Sequence, residues 1–175
     1  GLTAADGGCI FDFTHGLEWN GRSRKVLTDH SPGSVVQGDI VDWLPASMAR
    51  SALEGLSLEE LRRRIIDDDV VLNFVGRDGR AYCHLELHVA GPPCVDFSAM
   101  GLQRRERGPT MLLLVLWAQG IRLQRPCVVI FENVHRFPIQ LPRSLFGDLY
   151  CVDHAVLEAA LLGSPCARKR MYAVM

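Results

Sequence analysis

The chain has 175 residues, with 19 Lys and Arg against 20 Asp and Glu, for a net charge of -1. That balance excludes a wholly basic nucleic-acid coat, so any phosphate contact must use local patches. A hydrophobic share of 48% beside 22% charged residues excludes a mostly disordered chain, and the length suits about one domain. The longest apolar run, Met111 to Ala118, is far shorter than the ~18 residues of a membrane span. No charged-then-apolar leader opens the chain. It starts at Gly1 and stops at Met175 within a predicted strand, and both ends read as cuts in a longer protein.

Residues 1–25 mix Gly, Asp and aromatics without periodicity and receive no element. Val26-Leu27 leads to Asp29 and the turn Ser31-Pro32-Gly33. Val35-Val36 before Gly38-Asp39-Ile40 predicts a strand ending in an acidic loop. Ser57 with Glu60 three residues on is a capping box. Leu58, Leu61 and Ile65 then share one helical face, which leaves Arg62-Arg63-Arg64 as a solvated side. Residues 70–75 predict a strand, and Gly76-Arg77-Asp78-Gly79 a turn. From Cys83 to Val89 the pattern alternates, with Leu85, Leu87 and Val89 on one face and His84, Glu86 and His88 on the other. The strand runs into Ala90-Gly91-Pro92-Pro93-Cys94. Pro109 suits the first turn of an apolar helix from about Thr110 to Arg122. Pro126 opens a strand, Cys127 to Phe131, that ends in Glu132-Asn133-Val134. Asp153 predicts the cap of a helix to about Leu162, stopped by Gly163, and Arg168 to Val174 a last strand. Strands alternating with helices predict an α/β domain with a mostly parallel sheet. In such folds chemistry collects at the carboxyl ends of strands. Asp39, Cys94 and Glu132 all follow predicted strands.

Six cysteines at 9, 83, 94, 127, 151 and 166 include no Cys-x-x-Cys pair, which argues against a zinc ribbon. Their sparse spacing suits reduced thiols. Cys94 follows two prolines that stiffen the backbone and remove two N–H groups. A thiol so presented becomes a nucleophile if positive groups stabilise its thiolate; taken alone, it reads rather as a small buried hydrophobe, the commoner fate of a lone Cys. Glu132 follows a dry run, so desolvation would keep its carboxyl protonated as an acid or hydrogen-bond donor; the alternative is a surface carboxylate. Asn133 beside it either orients a substrate or caps a turn. Arg168 and Arg170 flank Lys169 and on a strand face one side, where two guanidiniums suit an oxygen-rich partner. A Cys–His enzyme built on Cys94 with His84 or His88 is disfavoured, because both histidines lie upstream on the strand body. A metal site from Cys83, His84, His88 and Cys94 is disfavoured too, because a strand spreads them apart.

Taken together, Ala90-Gly91-Pro92-Pro93-Cys94-Val95-Asp96-Phe97-Ser98, then Glu132-Asn133-Val134, then Pro165-x-x-Arg168-x-Arg170, resemble in order three motifs of the cytosine-5 DNA methyltransferase family. Gly38-Asp39-Ile40 resembles that family's cofactor-contacting motif, and the likeness covers roughly residues 35–175. It implies an incomplete Rossmann-like S-adenosylmethionine-dependent methyltransferase fold. Residues 1–175 would be a single partial catalytic domain, without the target-recognition region and the C-terminal motifs. The implied reaction moves a methyl group from S-adenosylmethionine to carbon 5 of cytosine in DNA. In that scheme Cys94 adds to carbon 6, and Glu132 acts at ring nitrogen 3 with Asn133 beside it. Arg168 and Arg170 hold the base and the nucleophile loop, and the target base leaves the stack first. Asp39 and Ile40 would take the cofactor's adenine, Gly91 and Pro92 its sulfonium end, and Asp29 its ribose. Ser98, Gln103, Arg104 and Arg105 would meet nucleic acid. The resemblance implies an intracellular location, nuclear in a eukaryote, and no metal or membrane partner. The chain departs from the pattern in three places: no Phe-x-Gly-x-Gly turn is visible, Phe11-Asp12-Phe13-Thr14-His15-Gly16 standing nearest to one; Cys166 replaces Gln; and Val95-Asp96 replaces a Gln-Gly-like pair. A tRNA cytosine-5 methyltransferase and a catalytically incompetent binding remnant are the alternative readings.

Overall fold

The computed structural model describes residues 15–74, 85–98, 101 and 104–175. The chain forms two compact units, Gly1–Ala46 with Leu72–Cys83, and Ser47–Val71 with His84–Met175. The expectations for Cys9, Phe11 to Thr14, the turn at 76–79, Cys83, His84 and Gln103 lie outside the described residues. Among the described residues no helix is long and apolar enough to cross a membrane, and no group of His, Cys, Asp and Glu could hold a metal.

The first unit is a β-α-β arrangement. Strand β1 (His15–Leu17) and strand β2 (Val35–Gln37) pair in parallel, with Leu17 opposite Gln37. Between them runs helix α1 (Gly21–His30), which the sequence reading left unassigned. None of its residues is buried, so no apolar stripe announces it. What starts it is Asn20, whose side chain accepts from the N–H groups of Arg22 and Ser23 at 3.0 and 3.3 Å. The predicted turn follows, with Gly33 at a φ of 100° that a side chain would strain. After β2, the Asp39 carboxylate caps a short 3₁₀ turn, Ile40–Trp43, by accepting from Val41 N at 3.1 Å. The Trp43 indole donates to Gln37 Oε1 at 2.7 Å, and Gln37 Nε2 donates to the Phe74 carbonyl at 2.8 Å. Residues 70–74 form no strand; within this unit Asn73 N instead donates to the Trp43 carbonyl at 2.7 Å, and the Phe74 ring meets Trp43 edge-on.

The second unit is built on helix α3 (Thr110–Gln124), apolar on nearly every side and buried from Thr110 to Ile121 apart from Leu113. A helix apolar all round belongs in a core. Its one long polar side chain there, Gln119, is satisfied by the Val70 carbonyl at 2.9 Å. Helix α2 (Leu58–Arg62) opens with the predicted Ser57–Glu60 capping box, widens into a π turn over Arg63–Asp67, and buries Leu61, Ile65 and Ile66. Arg62 and Arg63 lie exposed.

Four strands form one sheet in the order β3-β4-β6-β5: β3 (Leu87–Ala90), β4 (Val128–Val134), β5 (Asp153–Glu158) and β6 (Lys169–Val174). Only β3 and β4 pair in parallel; β6 runs antiparallel to both its neighbours, so this sheet is mixed rather than mostly parallel. Val129, Phe131 and Asn133 of β4, with Met171 and Ala173 of β6, form the buried face. Trp117 of α3 packs 5.3 Å from both Phe131 and Phe146, the latter on helix α4 (Gln140–Phe146). Each such ring contributes roughly 1.5–3 kcal/mol of burial.

Two further expectations are corrected, and the sense of the β3 alternation is settled. Residues 153–158 are a strand, because pairing along β6 overrides their helical propensity; only Ala159–Leu162 coils, as a 3₁₀ turn that Gly163 stops at a φ of 85°. Strand β4 runs through Val134, so Glu132 lies within the strand. On β3 it is His88 that faces the core, where the Trp117 indole donates to its Nε2 at 3.0 Å, while Val89 is 64% exposed.

Candidate active site

Period-two alternation on β4 separates its last residues. Phe131 and Asn133 turn inward, and Glu132 turns to the open face. On β6, Tyr172 lies opposite Glu132 and Arg170 opposite Val134, so Arg170 is a diagonal neighbour of Glu132 on that face. The Arg170 Nε lies 2.8 Å from Glu132 Oε1, and an Arg168 Nη lies 4.0 Å from the same oxygen. Arg168 and Arg170 thus share a side, as their spacing predicted. Glu132 is 31% exposed, so its carboxylate sits in a charged cleft rather than at the end of a dry run. Leu157, Ala159 and Tyr172 join these three side chains around an open pocket of about 390 Å³.

The strand register carries the segment before Cys94 to this place. Ala90 pairs with Phe131, so Gly91 emerges beside Glu132. A Cβ on Gly91 would lie 3.1 Å from Glu132 Oε2, a close approach that favours glycine. The buried Asn133 donates from Nδ2 to the Pro92 carbonyl at 3.3 Å. Two adjacent residues of β4 therefore grip Gly91-Pro92 from its two faces. Pro93 and Cys94 follow, and Cys94 is a free, partly exposed thiol. Its carbonyl accepts from Phe97 N at 2.9 Å and Ser98 N at 2.8 Å, which closes a tight turn. Phe97 anchors that turn against Phe137, with ring centroids 4.6 Å apart. Ser98 is half-buried in the turn, and Arg104 and Arg105 are exposed beyond it. Cys127, Cys151 and Cys166 are free and exposed elsewhere.

In the first unit, Asp39 and Ile40 stand directly past β2; Asp39 is half-buried and Ile40 is 8% exposed. Asp29 lies in the last turn of α1, exposed and paired with Lys25 at 2.7 Å. Since α1 runs back from the end of β1 to the start of β2, Asp29 is near the amino ends of these strands and Asp39 near their carboxyl ends. The sequence reading passed over Glu18. It directly follows β1, its N–H donates to the Gln37 carbonyl at 3.0 Å, and it therefore lies beside Gly38-Asp39. Trp19 after it is 72% exposed. A three-residue strand gave no periodic signal; an acid before an exposed Trp and a helix cap, Glu18-Trp19-Asn20, was the sign available.

Residues 77–175, more than half of the chain, match the family of C-5 cytosine-specific DNA methylases. The type II methyltransferase M.HgiDI of Herpetosiphon aurantiacus is 38% identical over 95 residues, which is 51% of this chain and 30% of that protein. A prophage-encoded DNA modification methyltransferase from E. coli shares the fold with a TM-score of 0.53 at 15% identity, over 92% of this chain and 39% of that one. A methyltransferase of Entamoeba histolytica, EhMeth, gives 0.54 at 12% identity, over 90% and 42%. The chain thus spans well under half the length of these relatives.

Proposed function

The chain belongs to the C-5 cytosine-specific DNA methylase family, and from that premise we propose that it is part of a catalytic domain that methylates carbon 5 of cytosine in DNA through a covalent Cys94 adduct. The observation that carries this reading is the grip of β4 on the segment before Cys94. Glu132 keeps Oε1 on Arg170, and its Oε2 lies at Gly91, three residues before the sulfur.

The chemistry needs that arrangement because carbon 5 of cytosine is a poor nucleophile. Addition of the Cys94 thiolate to carbon 6 makes carbon 5 electron-rich. Glu132 would serve ring nitrogen 3 as a relay that takes up a proton and passes it on, and its free oxygen would help hold the exocyclic amine. Arg170 fixes the carboxyl plane and, with Arg168, offers donors to the base's carbonyl oxygen. Asn133 acts through Pro92, holding the loop. After methylation, loss of the carbon 5 proton lets the thiolate leave and restores the ring. The base must first be extruded from the duplex, and Ser98, Gln103, Arg104 and Arg105 would meet the backbone around it.

S-adenosylmethionine would supply the electrophilic methyl group. The first unit fits its nucleoside: two acids, Glu18 and Asp39, at adjacent carboxyl ends of parallel strands, with an exposed indole beside them. Asp39 suits the adenine amine and Ile40 the ring. An acid at a strand end suits ribose hydroxyls, and Glu18 holds that place rather than Asp29. Trp19 offers a stacking face.

The test is covalent trapping. The full-length protein is incubated with labelled S-adenosylmethionine and a duplex carrying 5-fluorocytosine, which blocks loss of the final proton. An adduct formed on DNA and lost in Cys94→Ser supports the proposal. Adduct that survives Cys94→Ser defeats the assignment of the nucleophile, trapping on an RNA version alone moves the substrate to RNA, and no trapping on either leaves a binding remnant.

A further inference from the structure

Asp96 is fully buried two residues after Cys94, inside the turn that the Cys94 carbonyl closes. Its Oδ2 accepts from both the backbone N–H, at 3.0 Å, and the hydroxyl of Thr110, the first residue of α3. Its own carbonyl accepts from Arg105 N at 3.1 Å. Gly108 lies flat on the carboxylate: a Cβ there would fall 1.8–2.2 Å from the Asp96 Cγ and both oxygens. The other oxygen, Oδ1, is buried without a hydrogen-bond partner among the described residues.

A buried carboxylate with an unused oxygen is a costly way to close a turn, so what it holds matters. Helix α3 has Pro109 at its cap position and no side-chain cap of its own. Asp96 supplies the missing acceptor from a distant turn, and places a negative charge at the positive end of a fifteen-residue helix. That helix is the most buried element of its unit. One residue therefore ties three things together: its side chain joins the Cys94 turn to the rigid core helix, and its backbone carbonyl holds the arginine-bearing segment at Arg105.

We propose that Asp96 is a positioning residue that clamps the Cys94 turn to α3, so that the sulfur keeps one place relative to Glu132. The inference rests on the reading of Cys94 as the nucleophile. A thiol that wanders by an ångström loses much of the advantage of orientation.

The experiment compares Asp96→Ala, Asp96→Asn and Thr110→Val in the full-length protein by two readouts. One is the alkylation rate of Cys94 by iodoacetamide, with Cys127, Cys151 and Cys166, all exposed, as internal standards. The other is the rate of trapping on the 5-fluorocytosine duplex, at saturating and limiting duplex. In Asp96→Ala, Cys94 should alkylate about threefold faster against the standards, and saturated trapping should fall about tenfold with half-saturation unchanged, as misplacement without lost binding requires. Asp96→Asn keeps an acceptor for Thr110 and should restore most of the rate; Thr110→Val should lie between. Unchanged alkylation and trapping in Asp96→Ala overturn the proposal, and so does a trapping loss that appears wholly in half-saturation. Should Asp96→Ala fail to fold, Thr110→Val decides by the same criteria. A wild-type protein that alkylates at Cys94 but never traps defeats the methyl-transfer reading, while the alkylation rates still judge Asp96.

Discussion

Arg170 Nε meets Glu132 Oε1 at 2.8 Å, across two antiparallel strands and two residues off the direct pair. The contact orients Glu132 and leaves its second oxygen beside Gly91. Arg170→Ala should lower trapping on the 5-fluorocytosine duplex about a hundredfold, the usual scale for removing one preorganised polar group from a reaction centre. Arg170→Lys should recover little of it, because a point charge does not reproduce a planar donor. Arg168→Ala should cost less, since that guanidinium is 60% exposed and 4.0 Å away. Equal losses in Arg168→Ala and Arg170→Ala would mean that the Glu132 contact is not what matters.

Glu18 and Asp39 stand side by side at the carboxyl ends of β1 and β2, whereas Asp29 is bound to Lys25 at the other end of α1. Titration calorimetry with S-adenosylmethionine should therefore separate the three acids. Glu18→Ala and Asp39→Ala should each weaken binding by about tenfold, or ~1.4 kcal/mol, and Asp29→Ala should leave it within twofold. Weakening in Asp29→Ala alone would return the ribose to that residue.

What the sequence made legible, and what it hid, follows from where each signal resides. The Ser57 capping box, the apolar run of α3 and the Arg168–Arg170 alternation are local patterns, and each appears where expected. The stretch Asp153-His154-Ala155-Val156-Leu157-Glu158 carries helical residues and an acidic cap, but its partner strand β6 decides its conformation. No local pattern encodes that. Helix α1 hid for the opposite reason: it buries nothing, so only Asn20 betrays it. The contact of Glu132 with Arg170 is legible only from the arginine side, as two guanidiniums suited to an oxygen-rich partner, while Glu132 itself reads as a desolvated acid. Its half-buried, paired state is not legible, because β4 runs past Phe131, where the sequence pattern ends the strand. Asp96 shows no role in the sequence, because its partner Thr110 lies beyond a turn that no local pattern encodes.

Gly108 carries no unusual backbone angle, yet any side chain there collides with the buried Asp96 carboxylate. Gly108→Ala should destabilise the protein by about 1–3 kcal/mol, as overpacking does, measured by urea unfolding. Asp96→Ala removes the obstacle, so the double variant should lose less than the sum of the single ones, by roughly 1 kcal/mol. Strict additivity would show that the two residues do not press on each other.

His88 gives the protein a dependence on pH that is separate from catalysis. Burial pushes its imidazole down to about 4. The Trp117 indole donates to Nε2, so that nitrogen accepts and the ring is held neutral, with its proton on Nδ1. In the unfolded chain the ring titrates near the ordinary value of 6.5. Above pH 6.5 both states are neutral and the stability is intact. As pH falls from 6.5 towards 4 the unfolded state takes up a proton that the folded state refuses, so stability declines across that window and levels off below it. The full decline from this residue is on the order of 3 kcal/mol. His88→Gln keeps an acceptor for the indole and cannot titrate, so its urea midpoints should be flatter between pH 6.5 and 4 than those of the wild-type protein. Identical slopes in the two proteins would place the acid sensitivity elsewhere.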